Sequence, residues 1–164
     1  MANWCNNTVE FIGEHSQFEY LKILFEVMAL KEKKEEKGQL PAFTAFDRGF
    51  LFDIRWENGV LNYETKWTPN IEVLVAIANH FKVGFIYSYC ESGMSIFGET
   101  TYKDGILTDI CLDDDDTAQY EYDELADTYR FENQDYESSD EILDILLERK
   151  KDIKALQGLN NNKH

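Results

Sequence analysis

From Asn7 to Glu14 the chain alternates. Thr8, Glu10 and Ile12 fall on one side and Val9, Phe11 and Gly13 on the other, the period-two pattern of a strand with one buried face. A helix is predicted next. Ser16 and Glu19 have capping-box spacing, and Phe18, Leu21, Phe25 and Met28 recur on one helical face before the pattern dissolves into the mixed-charge run "KEKKEEKG". Asn58-Gly59 then separates "FLFDIRWE" from "VLNYETKW", the chemistry of a two-residue type I′ hairpin whose turn residues both take positive φ. Counting from that turn pairs Glu57 with Val60, Trp56 with Leu61, Ile54 with Tyr63, Phe52 with Thr65 and Phe50 with Trp67. The other face pairs Arg55 with Asn62, Asp53 with Glu64 and Leu51 with Lys66. The first face is almost wholly apolar, as a one-sided antiparallel sheet requires.

Thr68-Pro69 reads as N-cap and first residue of a second helix with a stripe of Ile71, Leu74, Val75, Ala78 and Phe81. Three more strands follow, "FIYSYCE", "MSIFGETTY" and "ILTDICL", joined by turns at Ser92-Gly93 and Asp104-Gly105. The order is βαββαβ with two strands appended as a meander. After a stretch mixing acids with tyrosines, Ser138 and Glu141 repeat the capping-box spacing. Ile142, Ile145, Leu146, Ile153 and Leu156 then mark a final amphipathic helix, with an acidic start and a basic "ERKKDIK" end.

With these pieces in order, "NWCNN", "NYETKW" before a proline-started helix, and "FIYSYCESGMSIFG", the chain resembles the YubB ferredoxin-like family of plasmid, mobile-element and phage proteins. It departs from that family at Tyr63, where the family carries glycine. The resemblance covers the first two-thirds of the chain. It implies a ferredoxin-like α+β sandwich, and it implies no catalytic residues.

Composition sharpens the picture chiefly through charge. The 164 residues carry a net −16, unevenly: Asp109 to Asp144 holds fifteen acids against one base, Arg130. A near-neutral body thus carries an acidic C-terminal third. That balance argues against direct nucleic-acid or anionic-membrane contact, which requires clustered Lys and Arg. No apolar run is long enough to span a bilayer, and no basic region precedes an apolar stretch at the start, so no signal peptide is expected. The three cysteines, Cys5, Cys90 and Cys111, lack metal-ligand spacing and suit a reducing cytoplasm.

Candidate chemistry is sparse. Cys5 is either a nucleophile awaiting a base or a small packed side chain leading into the first strand. The only histidines, His15, His80 and His164, give it no evident partner, which favours packing. Asp113, Asp115 and Glu124 match positions 1, 3 and 12 of a calcium loop, but Ala118 stands where glycine is needed, so no metal and no cofactor is expected. The aromatics Phe50, Phe52, Trp56, Tyr63, Trp67, Tyr87 and Tyr89 could stack bases, but their alternation assigns them to a core.

The expectation is therefore one α+β domain: a ferredoxin-like βαββαβ sandwich with extra antiparallel strands over 1–112, an acidic loop or linker over 113–137, and a C-terminal helix over 138–164. The expected function is non-enzymatic, in a bacterial or mobile-element cytoplasm. An acidic surface formed by Asp113, Asp114, Asp115, Asp116, Glu121, Asp123, Glu124 and Asp127 would bind a basic protein partner, as a DNA-mimic inhibitor does. The alternative is a small enzyme or ligand-binding domain with its site near Cys5 and the strand ends.

Overall fold

The computed structural model describes residues 3–161, so His164 and the end of the predicted third segment lie outside the described residues. Strand β1 (Trp4–Ile12) is followed by helix α1 (His15–Glu35), the hairpin β2 (Phe52–Glu57) and β3 (Val60–Lys66), helix α2 (Ile71–Phe81) and strand β4 (Gly84–Glu91). Strands β5 (Ile96–Lys103) and β6 (Ile106–Cys111) extend the sheet. Its order is β2-β3-β1-β4-β5-β6 and every pairing is antiparallel. The first four strands and two helices form the ferredoxin-like sandwich, and the fold is α+β.

Burial follows the alternation. In β1, Cys5, Asn7, Val9 and Phe11 point to the helices while Asn6, Thr8 and Glu10 face away. Phe11, Phe25 and Trp56 pack ring against ring, with Phe25 and Trp56 stacked at 5.5 Å. The strand begins three residues earlier than its pattern suggested, because Trp4, Cys5 and Asn6 pair with Lys66, Thr65 and Glu64 of β3.

The hairpin turn is as read: Asn58 and Gly59 both have positive φ, 49° and 87°. The register holds for Glu57–Val60, Trp56–Leu61 and Arg55–Asn62, then slips, so that Phe52 meets Glu64 rather than Thr65. A bulge at Asp53, with φ 49°, causes the slip. Glu32 of α1 stabilises it by accepting hydrogen bonds from the Asp53 and Ile54 N–H groups at 2.7 and 3.2 Å. The bulge turns Leu51 into the core and leaves Phe50 exposed, so the predicted Ile54–Tyr63, Asp53–Glu64, Phe50–Trp67 and Leu51–Lys66 pairs do not form. A β-carbon at Gly59 would lie 3.8 Å from Phe18, in ordinary contact, so Gly59→Val should act through the backbone alone. We expect a loss of about 2 kcal/mol from the strained left-handed conformation, read by thermal unfolding. An unchanged melting temperature would mean that the turn does not hold the register.

Two helix starts differ from prediction. α1 is capped at Glu14, whose N–H donates to Gln17 Oε1, rather than at Ser16. α2 begins at Ile71 behind Asn70, rather than at Thr68-Pro69. The α2 stripe is rotated accordingly, with Val73, Leu74, Ile77 and Ala78 buried and Ile71, Val75 and Phe81 at its margins.

The acidic stretch is folded. A short helix α3 (Asp114–Thr117) leads into a three-stranded antiparallel sheet of β7 (Glu121–Asp123), β8 (Thr128–Phe131) and β9 (Gln134–Tyr136), and helix α4 (Ser139–Asn161) follows. Ser138 Oγ accepts from the Asp140 N–H at 3.1 Å, capping α4 as predicted. Leu112, Phe131, Ile142, Leu146 and Leu147 form a second apolar cluster, joined by Phe97 and Ile110 from the sheet face opposite α1 and α2. Ile153 and Leu156, expected in the α4 stripe, are exposed. Lys151 and Lys154 take the sheet-facing positions, reaching Glu99 Oε1 and the Asp109 carbonyl at 2.9 Å each.

Candidate functional site

The polar opening of the chain turns out to be a closed hydrogen-bond hub. Asn7 is buried, and its amide nitrogen donates to the Cys5 carbonyl at 2.7 Å, Thr65 Oγ1 at 3.1 Å and the Tyr63 carbonyl at 3.3 Å. The Tyr87 hydroxyl donates to Asn7 Oδ1 at 2.6 Å. Tyr63 OH donates to Asn70 Oδ1 at 2.5 Å, and Asn70 donates on to the Gly49 carbonyl at 2.8 Å. The N-cap residue of α2 is thus recruited by the core, which is why the helix starts there. Among the described residues no buried side-chain nitrogen or oxygen lacks a partner. Cys5 is fully buried and desolvation pushes its thiol up to about 11, so it is protonated at neutral pH. His15 begins α1 past the far end of β1, and His80 stacks on Phe43 at 3.8 Å, so neither is a base for Cys5. Tyr63, Tyr87 and Tyr89 are buried, which removes them as stacking surfaces, whereas Phe50 and Trp67 are exposed.

The acidic residues divide by what they touch. Asp113 accepts from the Asp115 and Asp116 N–H groups at 3.1 Å each and from Lys150 Nζ at 2.7 Å, and Asp116 also pairs with Lys150. The Lys150 hydrogen bond holds the Asp113 carboxyl below the usual carboxylate range. Asp123 accepts from the Leu125 and Ala126 N–H groups, and Asp127 accepts from the Tyr122 hydroxyl at 2.6 Å. Asp114, Asp115, Glu121 and Glu124 are exposed and have no hydrogen-bond or ion-pair partner for their carboxylates among the described residues. Among those residues no group of His, Cys, Asp and Glu is arranged to hold a metal ion.

The meander sorts its side chains by strand parity. Tyr122, Tyr129 and Tyr136 form one cross-strand row, with Phe131 on the same face and buried in the second cluster. Glu121, Arg130 and Asp135 form the row on the opposite face, where Arg130 donates to Asp135 at 3.1 Å. Arg149, Lys150 and Lys151 of α4 are each paired with an acid nearby. Arg149 makes a bidentate pair with Glu132 at 2.6 and 2.9 Å and lies over the Phe131 ring at 5.4 Å, and Lys151 pairs with Glu99 and Glu148. The nearby cations are consumed and carboxylate is what remains outward.

Sequence reasoning missed three features here. One is the clamp of Arg149, Lys150 and Lys151. Another is Leu125, fully exposed at the β7–β8 turn between Glu124 and Asp127. The third is the acid ladder Asp140, Asp144 and Glu148 along α4, legible as a spacing of four in "DEILDILLE". Partial burial, then the like charges of Asp140 and Glu148, raise the Asp144 carboxyl above its ordinary 3.8. A raised carboxylate pKa means the folded state holds a proton more readily than the unfolded chain. Stability therefore falls as pH rises from 3.8 through the folded value, and the whole deficit is present at neutral pH. Asp144→Asn should stabilise the protein at pH 7 by about 0.5 kcal/mol, from two like-charge pairs, with the gain vanishing below the ordinary carboxylate pKa. Melting curves of both proteins across pH check this, and an equal gain at low pH would exclude the electrostatic cause.

A separate open cleft of about 710 Å³ lies between α1 and the β2–β3 turn, floored by Phe11, Phe18 and Trp56 and rimmed by Glu19, Glu26 and Glu57.

A ferredoxin-like α+β body bearing a folded acidic appendage is the class of protein this arrangement defines. The chain belongs to the family described as the ferredoxin-like domain in Api92-like protein, whose model matches residues 47–132, more than half of it. That match runs from just before β2 through β8 and includes all eight acidic residues singled out from the sequence. No curated protein and no solved structure matches the chain. Among the described residues no helix is long and apolar enough to cross a membrane.

Proposed function

We propose that the protein is a non-enzymatic interaction module whose acidic surface binds a basic protein partner, in the manner of a DNA-mimic inhibitor. The observation that carries this reading is the segregation of charge. Among the described residues, Asp114, Asp115, Glu121 and Glu124 are exposed and uncommitted, while Arg149, Lys150 and Lys151 of α4 near them are tied into internal pairs. A fixed array of carboxylates steers a basic protein electrostatically, and Leu125 at the hairpin tip supplies an apolar anchor within it. The resemblance of "NWCNN" and "FIYSYCESGMSIFG" to YubB proteins supports placing it in a bacterial or mobile-element cytoplasm.

The test is retention of bacterial proteins on the immobilised chain at low salt, beside a variant carrying Asp114→Asn, Asp115→Asn, Glu121→Gln and Glu124→Gln. Basic proteins held by the parent should elute as salt rises and should not be held by the variant. Displacement of those proteins from the parent by duplex DNA supports mimicry. Retention that is indifferent to both salt and the four substitutions would sink the reading. It would move attention to a ligand-binding role, for which the aromatic-floored cleft beside α1 is the supporting observation rather than Cys5.

A further inference from the structure

Helix α1 carries two apolar stripes. Leu21, Phe25 and Met28 are buried against the sheet. On the opposite side Tyr20, Ile23, Val27 and Leu30 are each between 56% and 68% exposed. Their spacing of three, four and three is the a/d pattern of a helix seam, about 15 Å long, and Ser16 and Lys34 bound it at the next positions of the row. Such a stripe is more apolar than a solvated helix face requires.

We propose that this stripe is a self-association face, on which α1 of a second copy lies antiparallel. Charge selects the occupant. The net charge of the chain is −16, yet α1 holds four acids and four bases, so it is an electrically neutral face on a strongly acidic protein. α1 packs on β2 at one end of the sheet order, while α4 and the acidic meander sit at the β6 end, so two copies meeting through α1 keep their acidic thirds apart. On the flanks of this row lie Glu19 and Glu26, then Lys31 and Lys33, and none of these four joins an ion pair among the described residues. In the antiparallel seam Tyr20 meets Leu30 of the second copy and Ile23 meets its Val27. Glu19 then falls beside Lys33 of that copy, twice by symmetry, and the exposed Glu26 meets its own symmetry mate between those pairs. A parallel seam would leave Glu19 and Lys33 about 21 Å apart along the axis but set Glu26 beside Lys31 of the second copy, so the flanking charges do not decide the direction. The direction rests on the helix dipoles, which oppose the parallel pairing and favour the antiparallel one.

The seam is short, four apolar layers with two flanking ion pairs and one Glu26–Glu26 contact on the axis, so the dimer is a weak one with a dissociation constant in the micromolar range. Sedimentation of the full chain across a micromolar concentration series should show a reversible monomer–dimer equilibrium. Ile23→Glu, at an exposed position that leaves the melting temperature unchanged, should raise the dissociation constant at least about tenfold. Glu19→Lys and Lys33→Glu should each weaken the dimer, and the double exchange should restore it. A chain that stays monomeric throughout, or an Ile23→Glu variant that associates like the parent, overturns the proposal. Failure of the double exchange to restore what each single change removes overturns the antiparallel pairing. Neutralising Asp114, Asp115, Glu121 and Glu124 should leave the dimer intact, which separates this result from the fate of the acidic-surface reading.

Discussion

Replacing Asn7 with alanine is expected to destabilise the fold by about 3 kcal/mol, while Asn6→Ala, one residue away and exposed, should cost less than about 0.5 kcal/mol. The difference is not one of sequence, since both belong to the same polar run. Asn7 sits on the inward side of β1, between β3 and β4, and its amide ties the Cys5 and Tyr63 carbonyls, Thr65 and the Tyr87 hydroxyl together. Truncation leaves the Tyr87 hydroxyl without its acceptor in a site that water does not reach, and an orphaned buried hydroxyl costs more than the lost bond is worth. For a chain of this length the melting temperature should fall by about 6–12 °C. Tyr87→Phe in the Asn7→Ala background should recover part of the loss, because it deletes the orphan. If Asn7→Ala melted with the Asn6→Ala control, the hub would be incidental and the core would rest on apolar packing alone.

How much of this was legible beforehand depends on whether a feature is local. The Asn58-Gly59 turn and the pairs beside it are local, because turn chemistry fixes them within a few residues, and they stand as read. The slip at Asp53 is not local: the bulge is held by Glu32, twenty-one residues upstream, and no pattern within the hairpin signals it. The same holds for α2, whose first residue is set by Tyr63 reaching Asn70 rather than by the propensities of Thr68 and Pro69.

The candidate site was half legible. Its charge stands in plain view in the composition, but its order does not, because the period-two alternation of Tyr120, Glu121, Tyr122 and Asp123 is easily read as a solvated acidic run. That alternation is a strand signal: Tyr120 packs against the second cluster, Tyr122 lies half exposed against Tyr129, and Glu121 and Asp123 face solvent. α1 misleads in the opposite way. Its sequence holds two equally regular rows, Phe18, Leu21, Phe25 and Met28 and Tyr20, Ile23, Val27 and Leu30, and nothing in the spacing says that the fold leaves the second facing solvent.

The acidic surface can be only as rigid as the second cluster, and Phe131→Ala should show how rigid that is. Among the described residues Phe131 is one of five buried side chains there, with Leu112, Ile142, Leu146 and Leu147, and its ring also carries the Arg149 guanidinium that grips Glu132. Losing a buried phenylalanine costs about 3–5 kcal/mol. That is comparable to all a cluster of this size supplies beyond its ordering entropy, whereas the larger core under α1 and α2 does not include Phe131. The expected outcome is therefore local. A protease that cuts after acidic residues should cleave the variant rapidly between residues 117 and 138, at sites the parent protects, while the near-ultraviolet signal of the tyrosines and tryptophans in the main core persists. Once Asp114, Asp115, Glu121 and Glu124 are no longer held in one array, a basic protein gains only non-specific attraction from them. Retention at moderate salt should fall to that of the neutralised variant although no charge has been removed. Loss of the whole fold in one transition would show the meander to be integral to the body. Undiminished binding by the cleaved or loosened variant would show that charge density, rather than its arrangement, is what a partner reads.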